Sequence, residues 1–142
     1  MFNKKFFSED EERLIVESIK TAETKTSGEI RLHIDSFCFG NAYKKAKKVF
    51  LKLNMQNTKN RNGVLIYIAT ISKKIAIVGD EGINNKVSAT FWDDLIKDLG
   101  SNFKTEKANC LASNIIKCGE QLSKFFPLEE GDTNELNNSI SY

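Results

Sequence analysis

Two apolar runs, Val64-Leu-Ile-Tyr-Ile-Ala69 and Ile75-Ala-Ile-Val78, stand only five residues apart. Continuous runs of this kind, rich in Ile and Val, suit strands covered on both faces. The segment between them, Thr70-Ile-Ser-Lys-Lys74, is too short for a helical crossover, so the two strands must pair antiparallel. A doubly covered hairpin needs helical layers above and below it, and the rest of the chain must supply them.

The flanking periodicities do so. Ser8-Glu-Asp-Glu11 is a capping box, and Leu14, Ile15, Ile19 and Ala22 continue from it as one helical stripe to about Lys25. Thr26-Ser27-Gly28 breaks that helix. From Glu29 to Asp35 the pattern alternates, with Ile30, Leu32 and Ile34 on one face and Glu29, Arg31, His33 and Asp35 on the other, as in a strand with one less buried face. Asn41 can cap a second helix carrying Ala46, Val49, Phe50 and Leu53. Phe91, Trp92, Leu95, Ile96 and Leu99 mark a third, with Gly100 as its stop. Leu111, Ile115, Cys118, Leu122 and Phe125 mark a fourth, ending before Pro127. The expected order is αβαββαα, an α/β fold in the form of a three-layer α/β/α sandwich around a small mixed β-sheet. Residues 1–127 form one domain, and 128–142 an acidic, flexible C-terminal tail.

The strand–helix–strand unit over residues 29–69 should be a right-handed crossover with parallel strands. The start of the first strand, the start of the second and the end of the third then share one end of the sheet. That end gathers Ser27-Gly-Glu29, Asn60-Arg-Asn-Gly63 and Gly79-Asp-Glu-Gly82, with Trp92-Asp-Asp94 starting nearby.

Composition narrows the function classes. With 142 residues, a single domain is the expectation. No apolar run approaches the ~20 residues of a membrane helix. The N-terminal residues form a poor signal peptide, so no membrane insertion and a cytoplasmic location are expected. The net charge of +2 hides an asymmetry, because four of the 19 acids fall in residues 127–142, which hold no Lys or Arg. The preceding residues therefore set 21 basic side chains against 15 acids, or +6. Much of that excess is Lys44, Lys45, Lys47, Lys48 and Lys52, read as a solvated helix face without the aromatic interleaving that stacks bases. No nucleic-acid partner is expected. Cys38, Cys110 and Cys118 include no C-x-x-C pair and face a single histidine, His33, which excludes a zinc set. His33 has no evident nucleophile beside it, and Trp92 reads as packing.

The strings S-G-E-I at 27–30, R-N-G-V-L-I-Y-I at 61–68, I-A-I-V-G-D-E-G-I at 75–83 and F-W-D-D-L at 91–95 resemble the TPM domain family. F-F-P at 125–127 and N-E-L at 134–136 are similar to endings in short bacterial members. The resemblance implies an α/β/α fold, the acid-phosphatase activity reported for the plant branch, and binding of divalent cations, notably calcium, in bacterial members. Many relatives are secreted or membrane-anchored, and many carry two asparagines where this chain has Arg61-Asn62 before Gly63.

From spacing alone, Gly79-Asp-Glu-Gly82 is a turn with solvated acids. The resemblance shifts the reading towards a hard cation, which takes six to eight oxygen ligands. The candidate donors are Glu29, Asn62, Asp80, Glu81 and Asp93. A monomeric, non-catalytic module binding Ca2+ or a protein partner is expected. In the alternative, metal-assisted phosphate-monoester hydrolysis, Asp80 and Glu29 hold the metal and Arg61 neutralises phosphoryl charge.

Overall fold

The computed structural model describes residues 6–103, 106–128 and 140–142. Helix α1 (Glu9–Ala22) starts at the expected box, with Ser8 Oγ accepting from the Glu11 amide and Glu11 accepting from the Ser8 amide. It stops three residues earlier than the periodicity suggests, in a 3-10 turn over Glu23–Lys25. Strand β1 (Glu29–Asp35), helix α2 (Ala42–Lys52, capped by Asn41), strand β2 (Gly63–Ala69) and strand β3 (Lys74–Gly79) follow in the anticipated order. A four-residue helix, α3 (Glu81–Asn84), occupies what reads in the sequence as a polar turn. Helix α4 (Phe91–Asn102) runs two residues past Gly100, and α5 (Lys107–Phe125) ends before Pro127. Gly100 does not stop α4 because it stays out of the left-handed conformation of a glycine cap, and a glycine kept helical costs only modestly.

The sheet has the order β1-β2-β3. β1 lies parallel to β2, with Glu29 opposite Gly63 and Asp35 opposite Ala69. β3 is antiparallel to β2, with Val64 opposite Gly79. One face presents Ile30, Leu32, Ile34, Ile66 and Ile77 to α1, α4 and α5. The other presents Leu65, Tyr67 and Val78 to α2 through Ala46, Val49 and Phe50. These are the three layers, and β2 at their centre is buried along its whole length. The three cysteines are buried thiols.

The flexible tail is expected over 128–142, of which 129–139 lie outside the described residues. Beyond them, Ser141 lies against the outer edge of β1, donating its amide to Leu32 O at 2.9 Å and accepting from Ile34 N at 2.8 Å. Its hydroxyl meets His33 Nδ1 at 2.8 Å, and His33 Nε2 meets Asp35 Oδ1 at 2.9 Å. His33 thus has a hydroxyl partner that sequence spacing did not reveal. Burial lowers the imidazole's pKa, with Asp35 opposing.

Candidate functional site

The predicted end of the sheet is assembled, and its geometry is set by backbone contacts. Asp80 leaves β3, donates its amide to Gly63 O at 2.9 Å and caps α3 by accepting from the Glu81 amide at 2.8 Å. Gly82 lies in the first turn of α3, where its amide donates to Arg61 O at 2.8 Å. A Cβ there would sit 2.1 Å from Asn60 O and 2.5 Å from Arg61 O, so only glycine allows this approach. The loop before β2 and the turn after β3 are locked together in this way.

The charges at the rim pair rather than converge. Arg61 donates from Nε to Asp80 Oδ2 at 2.7 Å and from Nη2 to Asp80 Oδ1 at 2.9 Å, a bidentate fork. Its Nη1 lies 3.4 Å from Glu81 Oε1. Asp80 is buried, while Glu81 and Arg61 reach solvent. The hydrogen bond to Asp80 raises the guanidinium's pKa further, against a smaller opposing effect of desolvation. Arg61 holds this position from a left-handed backbone, φ 50°, which favours asparagine or glycine over arginine.

Asn62 is buried behind this pair. Its amide nitrogen donates to Ser27 Oγ at 3.3 Å, and its backbone N–H donates to Thr58 Oγ1 at 3.3 Å. Among the described residues, its side-chain oxygen, Oδ1, has no hydrogen-bond partner. Glu29 is also buried, and its amide donates to Asn62 O at 3.4 Å. A second carboxyl, unforeseen from the sequence, faces Glu29 electrostatically. Glu23 accepts from the Ile30 amide at 2.8 Å, and its pKa is pushed up to about 7. Burial is the main cause and the charge of Glu29 adds to it, while the Ile30 hydrogen bond pulls the other way. No periodicity or motif marks Glu23; only the S-G-E string places a polar turn near it.

Of the expected donors, Asp80 and Glu81 meet at Arg61, and Asn62 and Glu29 lie behind them. Asp93 stands exposed in the first turn of α4. Among the described residues, no hydrogen bond or ion pair joins Asp93 to the others, and no three His, Cys, Asp or Glu side chains cluster as a metal-holding group. Trp92 does lie at this end. Its ring covers Gly79, where a Cβ would come within 2.6 Å of it, and Nε1 donates to Asn84 Oδ1 at 2.9 Å.

The TPM domain model matches residues 2–110. The chain belongs to the TPM domain family. A solved relative agrees with this TPM fold over almost the full length of both chains: the NMR structure of the BA42 protein from the psychrophilic bacterium Bizionia argentinensis. It is 42% identical, covers 96% of this chain and 94% of its own, and superposes with a TM-score of 0.87. Among curated proteins, none matches. Among the described residues of this TPM domain, no helix is long and apolar enough to cross a membrane.

Proposed function

We propose that this TPM domain is a non-catalytic module that binds a divalent cation, calcium in preference, at the end of the sheet that carries Glu29, Asn62 and Asp80. The observation that carries the reading is Asn62 Oδ1, a buried carbonyl oxygen with no partner among the described residues. Leaving such an acceptor unpaired costs about 1–3 kcal/mol. A calcium ion accepts amide oxygens alongside carboxylates, and its variable geometry tolerates a site completed by water. Glu29, whose backbone amide donates to Asn62 O at 3.4 Å, supplies a buried carboxylate at the same end of the sheet, while Asp80 contributes only if the cation displaces Arg61. The half-exposed guanidinium has room to swing away. Arg61 therefore acts as an internal competitor that lowers affinity.

Phosphate-monoester hydrolysis is less well supported. Arg61 is already committed to two carboxylates, and no nucleophile at the rim is hydrogen-bonded to a base among the described residues.

Calcium titration followed by amide NMR and thermal melting tests the proposal. Shifts should cluster at residues 27–29, 60–63 and 79–82, and cation at 100 times its Kd should add about 2.7 kcal/mol of stability. Arg61→Asn should tighten binding by releasing Asp80 and relieving the left-handed backbone, and Asp80→Asn should weaken it. Magnesium should substitute poorly, since it demands a tighter octahedron. Shifts confined to Glu129–Glu135, or none at millimolar calcium, would sink the reading.

A further inference from the structure

The opposite end of the sheet has another character. Residues 36–79 contain nine Lys and Arg and no Asp or Glu; Arg61 belongs to the rim, most of the others lie towards this end, and the carboxylate that ends β1 here, Asp35, is engaged by His33 and Tyr67. Two neighbouring loops meet there. The β2–β3 turn donates Ile71 N to Ser36 O at 2.8 Å, and Ser72 Oγ accepts from Cys38 N at 2.9 Å. Lys74 Nζ fastens the loop before α2 by donating to Cys38 O at 3.0 Å and Gly40 O at 2.6 Å. The two loops thus form one braced platform.

That platform exposes large apolar side chains. Phe39 is 90% exposed and Phe37 48%, their rings stacked 5.7 Å apart, and Ile71 is 56% exposed on the adjoining turn. Tyr43 opens α2 beside them, with Lys47 Nζ 5.5 Å from its ring centre. Lys44, Lys45, Lys48 and Lys73 are exposed around this tip. The lysines that composition alone assigns to solvent therefore border exposed aromatic and aliphatic groups.

We propose that this tip is a peripheral docking surface for anionic lipid membranes, with Phe37, Phe39 and Ile71 entering the interface and the α2 lysines meeting the headgroups. An interfacial anchor needs both parts, apolar groups at the acyl boundary and cations near an anionic surface. Single-stranded nucleic acid fits the charge but not the apolar set. Ile71 has no π face on which to stack a base, and the inner faces of Phe37 and Phe39 are already taken up with each other. No membrane-spanning helix is needed, and the cation proposed at the other end of the sheet plays no part.

The test is co-sedimentation of the whole chain with vesicles of phosphatidylglycerol mixed with phosphatidylcholine, against pure phosphatidylcholine. Binding is expected only to the anionic vesicles, weakening as salt rises. Phe39→Ser should lower partitioning about tenfold. Lys44→Gln with Lys48→Gln should lower it on the order of tenfold or more. All of these side chains are exposed, so the variants should keep the parent circular dichroism and melting temperature. Phe39→Trp should show an emission blue shift with anionic vesicles, a signal that unaltered Trp92 at the far end would not give. The proposal is overturned by absence of vesicle binding, or by binding that ignores Phe39 and Ile71 and is therefore merely electrostatic. Phe39-dependent binding of a single-stranded oligonucleotide without vesicle binding, or self-association abolished by Phe39→Ser, would equally overturn it.

Discussion

Replacing Glu23 by glutamine tests the electrostatics of the rim. The carboxyl ionises near pH 7 in the folded chain instead of its ordinary 4.5, mainly because it is buried. At about 1.4 kcal/mol per pH unit, that gap sets an upper bound of about 3 kcal/mol on the cost of ionised Glu23. Partial access to water reduces the figure to about 1–3 kcal/mol. The folded value lies above the unfolded one, so the folded state holds the proton more tightly. The stabilisation is therefore complete below pH 4.5 and disappears as pH rises through about 7. Glutamine keeps an oxygen to accept the Ile30 amide now bound at 2.8 Å, and it never ionises. In chelator-containing buffer, urea unfolding should find Glu23→Gln equal to the parent near pH 4.5 and more stable by about 1–3 kcal/mol at pH 8. A difference that stays constant across that range, or a variant less stable at pH 8, would refute the assignment of burial and Glu29 as causes.

Gly82→Ala should destabilise the fold by about 1–3 kcal/mol or more, because the new methyl meets backbone oxygens that cannot swing away; differential scanning calorimetry measures it. Trp92→Phe removes both the benzo edge that lies over Gly79 and the bond to Asn84, so a loss of about 1–3 kcal/mol is expected in the same assay. All three thiols should react with a disulfide reagent only on unfolding, Cys118 above all, since burial pushes its pKa up to about 12. One thiol modified at once in native protein would contradict the packing around it.

Much of the fold was legible because it rests on local signals. The five-residue gap between two apolar runs fixes β2 against β3, and one alternating heptapeptide fixes which face of β1 joins the main core, although Glu29 and His33 on its polar face are buried as well. The Ser8 box and the Asn41 cap start their helices where the side chains require. What escaped depends on contacts between distant segments. Four residues cannot hold a helix alone, and α3 exists because Asp80 caps it while Gly82 lies against Asn60 and Arg61. Glu23 becomes abnormal only when the chain buries it beside the start of β1. The partner of His33 comes from 108 residues away.

The candidate site divides along the same line. Topology alone brought residues 27–29, 60–63 and 79–82 together, but could not show how their charges would pair. Arg61 decides that. Two carboxylates left at the rim would repel each other and favour a cation, whereas a guanidinium forked onto Asp80 and 3.4 Å from Glu81 supplies the cation from within the chain. The arginine pays a conformational penalty for it at φ 50°. If Arg61→Asn raises both stability without metal and affinity for calcium, the strain and the competition are real and separable from Asn62. If that variant loses stability and gains no affinity, the Arg61–Asp80 pair is a structural clamp between the β2 and β3 loops, and any cation held there relies on Asn62 and Glu29 alone.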